Sequence, residues 1–147
     1  MRTRILMYLA ILSIAFTTAS ATEVKPSKKV NSTKPSHVIN AFIEAQIKGD
    51  ASLFKQVLAD DIILKVNRPN SVNSLSKEDL LKYYKENGDT MLGCGSTYEV
   101  LSSSDASIMA RVDFEFPTFV QQNFISLEKD ASGAWKITQL NRFNNPA

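Results

Sequence analysis

The chain has 147 residues, of which 44% are hydrophobic, and it carries 17 basic against 15 acidic residues. From His37 onward acidic residues outnumber basic ones, which argues against a nucleic-acid partner, because binding to nucleic acid needs a clustered basic face. A single cysteine excludes an internal disulfide, so packing has to hold the fold together.

Residues 1–21 have the pattern of a secretory signal peptide. Arg2 and Arg4 precede an apolar run from Ile5 to Phe16, and small residues end the segment at Ala21. The apolar run of 12 residues is shorter than the roughly 20 residues that a membrane span needs. We therefore predict cleavage after Ala21, export to the periplasm or the medium, and no membrane span in the mature chain.

Residues 22–36 are predicted to form a flexible basic linker. The segment holds four lysines and two prolines but almost no apolar residue, so it cannot bury enough surface to offset the entropy of ordering. The domain is then residues 37–147, near the common domain size of about 100–150 residues. It carries 11 basic and 14 acidic residues, a net charge of −3.

The chain offers little for metal or nucleophile chemistry. Cys94 is the only cysteine and His37 the only histidine. One of each does not supply a usual zinc site, and His37 lies where a helix should begin. We expect no metal and no cofactor, and we interpret Cys94 as a small buried hydrophobe rather than a thiol that pairs between chains.

Two helices are predicted at the start of the domain. Apolar residues recur at helical spacing after Ser36, which can cap the first helix, and Gly49 ends it. Asp50 is a suitable cap for the second helix. The β-branched run from Ile62 to Val66 then indicates a strand, which Arg68-Pro69-Asn70-Ser71 breaks.

A third helix and four strands complete the predicted elements. Ser76 begins the helix, with Asp79 positioned to complete a capping box, and Gly88 ends it. The strands are predicted at residues 96–101, 107–116, 121–129 and 134–143, and the last two form a hairpin around the turn at residues 130–133. The order ααβαββββ, with consecutive strands joined by short turns, indicates an α+β domain: a curved, mainly antiparallel sheet wrapped on helices.

These elements and their motifs resemble the nuclear transport factor 2-like superfamily. The segments AFIEAQIKGDASLFKQVLADDIILKV and ISLEKDASGAWKITQLNRF carry the resemblance, above all the GD after the first helix and the closing GAWKI. The superfamily includes the SnoaL-like and ketosteroid isomerase-like proteins, scytalone dehydratase, the polyketide cyclases and limonene epoxide hydrolase. The resemblance implies a conical sheet with a cavity at its open end, here in an exported bacterial member. Many unrelated functions share this fold.

The resemblance also implies which residues to test for catalysis. Arg111 and Asp113 resemble the Arg-x-Asp of the limonene epoxide hydrolases, in which a second Asp on the last strand helps to activate a water. Asn141 or Arg142 stands in the place of that second carboxylate, so half of the acid–base pair is missing. An isomerase-like mechanism would use an Asp base with a Tyr and a protonated Asp as oxyanion donors. Asp61, Tyr98 and Asp113 are nominal candidates for those roles.

Two orientations of the predicted strand at residues 107–116 remain open from the sequence. Arg111, Asp113 and Glu115 form one row, and an apolar row of residues 108, 110, 112, 114 and 116 forms the other. If the apolar row faces the helices, Arg111 and Asp113 point outward. If the orientation of the family holds, they line the cavity, and the apolar row lies outside and needs a cover, which a second copy of the chain would supply.

We predict the family orientation, and with it a homodimer through the outer sheet face. The predicted ligand-binding residues are Tyr98, Arg111, Asp113, Asn123, Leu140 and Arg142. The expected function is non-catalytic binding of a small, partly apolar ligand in the cone. The alternatives are a hydrolase, isomerase or dehydratase acting on a small cyclic substrate, with Asp113 as base and Arg111 beside it, or a protein-interaction module.

Overall fold

The computed structural model of the chain describes residues 28–88 and 91–147. The predicted signal peptide and the start of the predicted linker lie outside the described residues. The elements in chain order are α1 (Pro35–Lys48), α2 (Ala51–Val57), β1 (Leu58–Arg68), β2 (Ser71–Leu75), α3 (Lys77–Asn87), β3 (Gly95–Ser103), β4 (Ser107–Glu115), β5 (Phe119–Lys129) and β6 (Trp135–Pro146). None of the three described helices is long and apolar enough to cross a membrane.

The predicted helix boundaries are confirmed by cap geometry. Gly49 ends α1 with φ 62°, a backbone conformation that favours glycine. The position also leaves no room for a side chain, because a Cβ there would lie 2.3 Å from the carbonyl oxygen of Gly88. Asp50 caps α2 by accepting hydrogen bonds from two backbone amides at 2.9 and 3.1 Å. Ser76 and Asp79 form the predicted capping box of α3. Only the start of α1 differs, since Lys34 rather than Ser36 is its N-cap.

The six strands form one sheet in the order β2-β1-β6-β5-β4-β3. Every neighbouring pair is antiparallel except β1 and β6, which are parallel. The α+β class and the mainly antiparallel sheet are therefore confirmed. The prediction missed β2, an exposed five-residue strand that pairs with β1 across the break predicted at residues 68–71.

The core lies between the helices and one face of the sheet. Phe42 of α1 contacts Phe54 of α2 and Phe114 of β4, with ring centroids 6.0 and 6.3 Å apart. Ala110, Val112 and Phe114 of β4 are fully buried in this cluster. The concave face of the sheet is thus the apolar face.

Part of the predicted linker is bound to the domain. The Val30 amide donates to the side chain of Gln56 at 2.9 Å, and the same side chain donates to the Lys28 carbonyl at 3.0 Å. The Trp135 amide donates to the Ser32 carbonyl at 2.8 Å. These hydrogen bonds hold residues 28–32 against the domain, and the flexible linker at residues 22–36 stays a prediction.

Candidate functional site

The orientation of β4 overturns the predicted cavity role of Arg111 and Asp113. Side chains alternate along a strand, and the buried row is residues 108, 110, 112 and 114. Arg111 and Asp113 therefore lie on the convex, outer face of the sheet. The prediction that they line the cone is wrong, because the helices bury the apolar row of this strand.

On the outer face, Arg111 and Asp113 form an ion pair. Arg111 Nε lies 3.1 Å from Asp113 Oδ2, and a second, longer approach of 3.7 Å joins Arg111 Nη2 to Glu99. The Arg111 side chain is 37% exposed, so the pair contributes at most about 1 kcal/mol. Asp113 Oδ1 is buried and has no hydrogen-bond partner among the described residues. The Arg111–Asp113 pair lies within β4, and only the longer approach to Glu99 crosses to β3. Neither contact brings a second acid or base to Asp113 from the cone.

The concave face changes from apolar to polar between two neighbouring rows of the sheet. The deeper row joins Ala110, Ile125, Leu140 and Leu64, which are all buried and apolar. The next row toward the open end of the cone joins Val112, Asn123, Arg142 and Val66. Polar side chains therefore enter the inner face at one level, directly above the core.

Arg142 is the centre of a polar cluster at this level. Its Nε donates to Asn123 Oδ1 at 2.8 Å, and its Nη2 donates to Gln46 Oε1 at 3.0 Å. The Tyr84 hydroxyl donates to the same Gln46 oxygen at 2.8 Å. Asn123 is fully buried and Gln46 nearly so. The cluster joins β5, β6, α1 and α3, so it fixes the guanidinium relative to both helices and sheet.

Burial dominates the electrostatics of the cluster. It lowers the pKa of Arg142 from its ordinary value, and the nearby Tyr84 hydroxyl acts in the opposite direction. Burial likewise raises the pKa of Tyr84, and the Arg142 charge partly offsets that shift. An arginine stays protonated in proteins. The inner face of the sheet therefore carries a positive charge next to a neutral phenol.

A pocket of about 680 Å³ opens onto this cluster, within the usual size range of small-molecule sites. Its apolar wall comprises Leu75, Leu80, Leu92, Phe116 and Phe119. Its polar wall includes Gln46, Tyr84, Gln121 and Arg142, and Gln121 Oε1 is buried without a hydrogen-bond partner among the described residues. Phe116 and Phe119 stack with centroids 4.5 Å apart. The pocket thus combines an apolar wall with one partly buried cation.

The structure brings together two of the six predicted ligand-binding residues. Asn123 and Arg142 are hydrogen-bonded to each other, and Arg142 lines the pocket. Leu140 is completely buried one row deeper and belongs to the core. Tyr98 pairs with Val112, so it shares the inner side of the sheet, but it is 40% exposed on β3 and is not a lining residue.

Sequence reasoning missed the helical half of the cluster. Gln46 is the one polar residue on the buried side of α1, and that position is a detectable signal. Tyr84 lies on the apolar side of α3, where it stacks on Phe54 with ring centroids 4.6 Å apart. Its hydroxyl reaches Gln46 because a buried tyrosine usually finds a hydrogen-bond partner.

The other candidate features offer less to a ligand than this pocket, although the second groove shares Gly49, Tyr84 and Asn87 with it. Burial raises the pKa of the Cys94 thiol, and the side chain packs partly buried against the core. A more open groove of about 850 Å³ lies over residues 48–52 and 84–88, but most of its lining is surface polar residues and backbone. In residues 28–88 and 91–147, no three His, Cys, Asp or Glu residues come together as a metal site.

Comparison with known proteins gives fold relatives only. No family model and no curated protein matches the chain. An NTF-2 like protein of unknown function from Silicibacter pomeroyi matches with a TM-score of 0.64 and 12% identity, over 75% of this chain and 92% of that one. An NTF2-like protein from Shewanella baltica matches with a TM-score of 0.60 and 13% identity, over 76% and 91%. A ketosteroid isomerase-like protein from Erwinia carotovora matches with a TM-score of 0.56 and 16% identity, over 74% and 92%.

Proposed function

We infer that this chain, whose fold is that of the nuclear transport factor 2-like proteins, binds a small molecule in the pocket at the open end of its cone. The observation that supports this most is the pocket of about 680 Å³ with a largely apolar wall and a few convergent polar groups. That combination is what small-molecule sites generally show. The fold alone would not support it, since proteins of this fold have many functions.

The proposal is binding rather than turnover. Asp113, the base of the enzymatic alternative, lies on the outer face of the sheet and cannot reach a ligand in the cone. Asp79 is the only carboxylate among the described lining residues, and its Oδ2 is engaged by Ser76 at the start of α3. An acid–base reaction in the pocket would need a general base within hydrogen-bond reach of its substrate.

Ligand binding is tested by filling the pocket. Leu92→Trp places a large side chain in the lining of the pocket. Leu81→Trp makes the same change on α3, at a position that lines a different groove on the surface. The purified chain is examined by native mass spectrometry for a co-purified small molecule and by a thermal-shift screen of small organic ligands. We expect bound species or thermal shifts in wild type and Leu81→Trp that Leu92→Trp lacks. Equal binding by both variants would place the ligand elsewhere.

Export remains part of the proposal and rests on the pattern of residues 1–21. N-terminal sequencing of the protein from cell fractions tests it. A mature chain beginning at Thr22 in the exported fraction is expected, and an intact Met1 in the cytoplasm would contradict it.

The homodimer stays a prediction, but its original reason no longer applies, because the apolar row of β4 is buried under the helices. The outer face instead mixes the Arg111–Asp113 pair with exposed Met109 and Phe143. Light scattering during gel filtration measures the mass directly, and a monomer at micromolar concentration would remove the prediction.

A further inference from the structure

The Arg142 guanidinium is a partly buried cation without an anionic partner among the described residues. The ion pairs in residues 28–88 and 91–147 join other residues, and both hydrogen-bond partners of Arg142 are neutral amides. These two bonds use two of the five N–H donors of a guanidinium. Buried charges in proteins are usually paired, because an amide oxygen offsets only part of the desolvation cost. The site therefore favours an incoming negative charge.

The neighbours of Arg142 hold the guanidinium in one orientation. Gln46 Oε1 accepts from both Arg142 and Tyr84, and Asn123 Oδ1 fixes the Nε side. A fixed, planar set of donors suits a carboxylate, which can accept two parallel hydrogen bonds. Preorganisation of this kind reduces the side-chain ordering that binding would otherwise cost.

A second observation points to the same pocket. Gln121 Oε1 is buried, lines the pocket and accepts no hydrogen bond from the described residues. Gln121 is two residues from Asn123 on β5, so its side chain also points to the inner face of the sheet. It lies nearer the open end of the cone than the Asn123–Arg142 pair. A buried acceptor without a donor is unusual in native proteins. A ligand that carries a hydroxyl or amide beside its acidic group would supply that donor.

We propose, on the basis of the ligand-binding function inferred above, that the pocket takes a small organic acid whose single carboxylate binds Arg142. The apolar body of the acid lies against Leu80, Phe116 and Phe119, and a hydroxyl or amide near the carboxylate donates to Gln121. One guanidinium balances one negative charge. A doubly charged phosphate would leave an uncompensated charge against an apolar wall, so the carboxylate fits better.

The test compares an acid with its neutral analogue. The probes are 3-phenyllactate, 3-phenylpropanoate, 3-phenylpropanol and inorganic phosphate, each titrated into the isotopically labelled chain and followed by amide chemical shifts. The variants are Arg142→Gln, which removes the charge in the pocket, and Arg111→Gln, which removes the same charge from the outer face. Arg142→Lys keeps the charge but loses the planar guanidinium. It is the variant to compare with wild type if Arg142→Gln fails to fold.

We expect both acids to shift amides around the pocket in wild type and Arg111→Gln, with affinity lower by about tenfold or more in Arg142→Gln. The affinity of Arg142→Lys for both acids should lie between those of wild type and Arg142→Gln. In wild type, 3-phenyllactate should bind more tightly than 3-phenylpropanoate. If the alcohol binds as well as the acids and Arg142→Gln changes nothing, the carboxylate assignment is wrong while the binding pocket stands. If no probe shifts any pocket amide, both the assignment and the pocket function are wrong. Phosphate binding that depends on Arg142 as strongly as acid binding would replace the assignment with a general anion site.

Discussion

The inward orientation of the apolar row of β4 makes a direct prediction about stability. Val112 is fully buried, and Val112→Ala removes two methyl groups worth about 0.8 kcal/mol each in transfer. The cavity left behind adds to that cost. We expect a loss of about 1.5–2.5 kcal/mol in the free energy of unfolding, which lowers the urea midpoint by roughly 1 M or more for a slope near 1.5 kcal/mol/M.

Equilibrium unfolding in urea measures this loss, with the fluorescence of Trp135 as the signal, because the only tryptophan is 4% exposed in the fold. Val72→Ala on β2 is the matched control: the same change on a strand, at a side chain that is 57% exposed. It should cost about 0.5 kcal/mol or less. Equal losses in the two variants would mean that Val112 faces solvent, and the assignment of Arg111 and Asp113 to the outer face would be refuted.

Three further predictions concern the caps that set the helix ends. Gly49→Ala should lower the free energy of unfolding by about 2 kcal/mol or more, since a Cβ would meet the Gly88 carbonyl and the φ of 62° disfavours alanine; a thermal melt with an unchanged midpoint would contradict the close approach. Asp50→Ala should cost about 0.5–2 kcal/mol, and Asp50→Asn should restore most of it in the same melts. The hydrogen bond from the Ser76 hydroxyl, and to a smaller extent that from the Ser76 backbone amide, lowers the pKa of Asp79. The stabilisation by Asp79 is therefore present above the usual carboxyl pKa of about 4 and is lost as the pH falls through the lower pKa of the folded state. Wild type should lose more of its urea midpoint between pH 7 and pH 3 than Asp79→Asn does.

The features of the fold that were predictable from the sequence are those with local signals. Gly49, Asp50, the Ser76–Asp79 box and the turn at residues 130–133 each act within four residues of chain, so the residue types alone identify them. The strand β2 has no such signal, because SVNSL is an exposed edge with little apolar periodicity. The binding of residues 28–32 to Gln56 and Trp135 was also hidden, since those contacts span more than 25 residues of chain.

The candidate site was predictable only in part, because a strand shows two rows and not which row faces the core. The apolar row of β4 indicates the inward side by burial energy alone, whereas the family resemblance indicated the opposite, which the structure contradicts. The prediction was better for the last strand: Leu140 and Arg142 were both predicted to face the cone, and both side chains point inward. Gln46 lies 96 residues from Arg142 in the chain, so the local sequence around either residue does not predict their hydrogen bond.

The position of Arg142 is better explained by a ligand than by stability. Replacing a buried charge with an apolar side chain of similar length is often neutral or stabilising, because the desolvation cost disappears. Arg142→Met leaves Gln46 with the Tyr84 hydrogen bond and frees only the Asn123 oxygen. We therefore expect the urea midpoint of Arg142→Met to change by no more than the equivalent of about 1 kcal/mol, while binding of 3-phenylpropanoate is lost. A loss of several kcal/mol in Arg142→Met would instead mean that the guanidinium holds β5, β6 and α1 together, and the case for an anionic ligand would lose its main support.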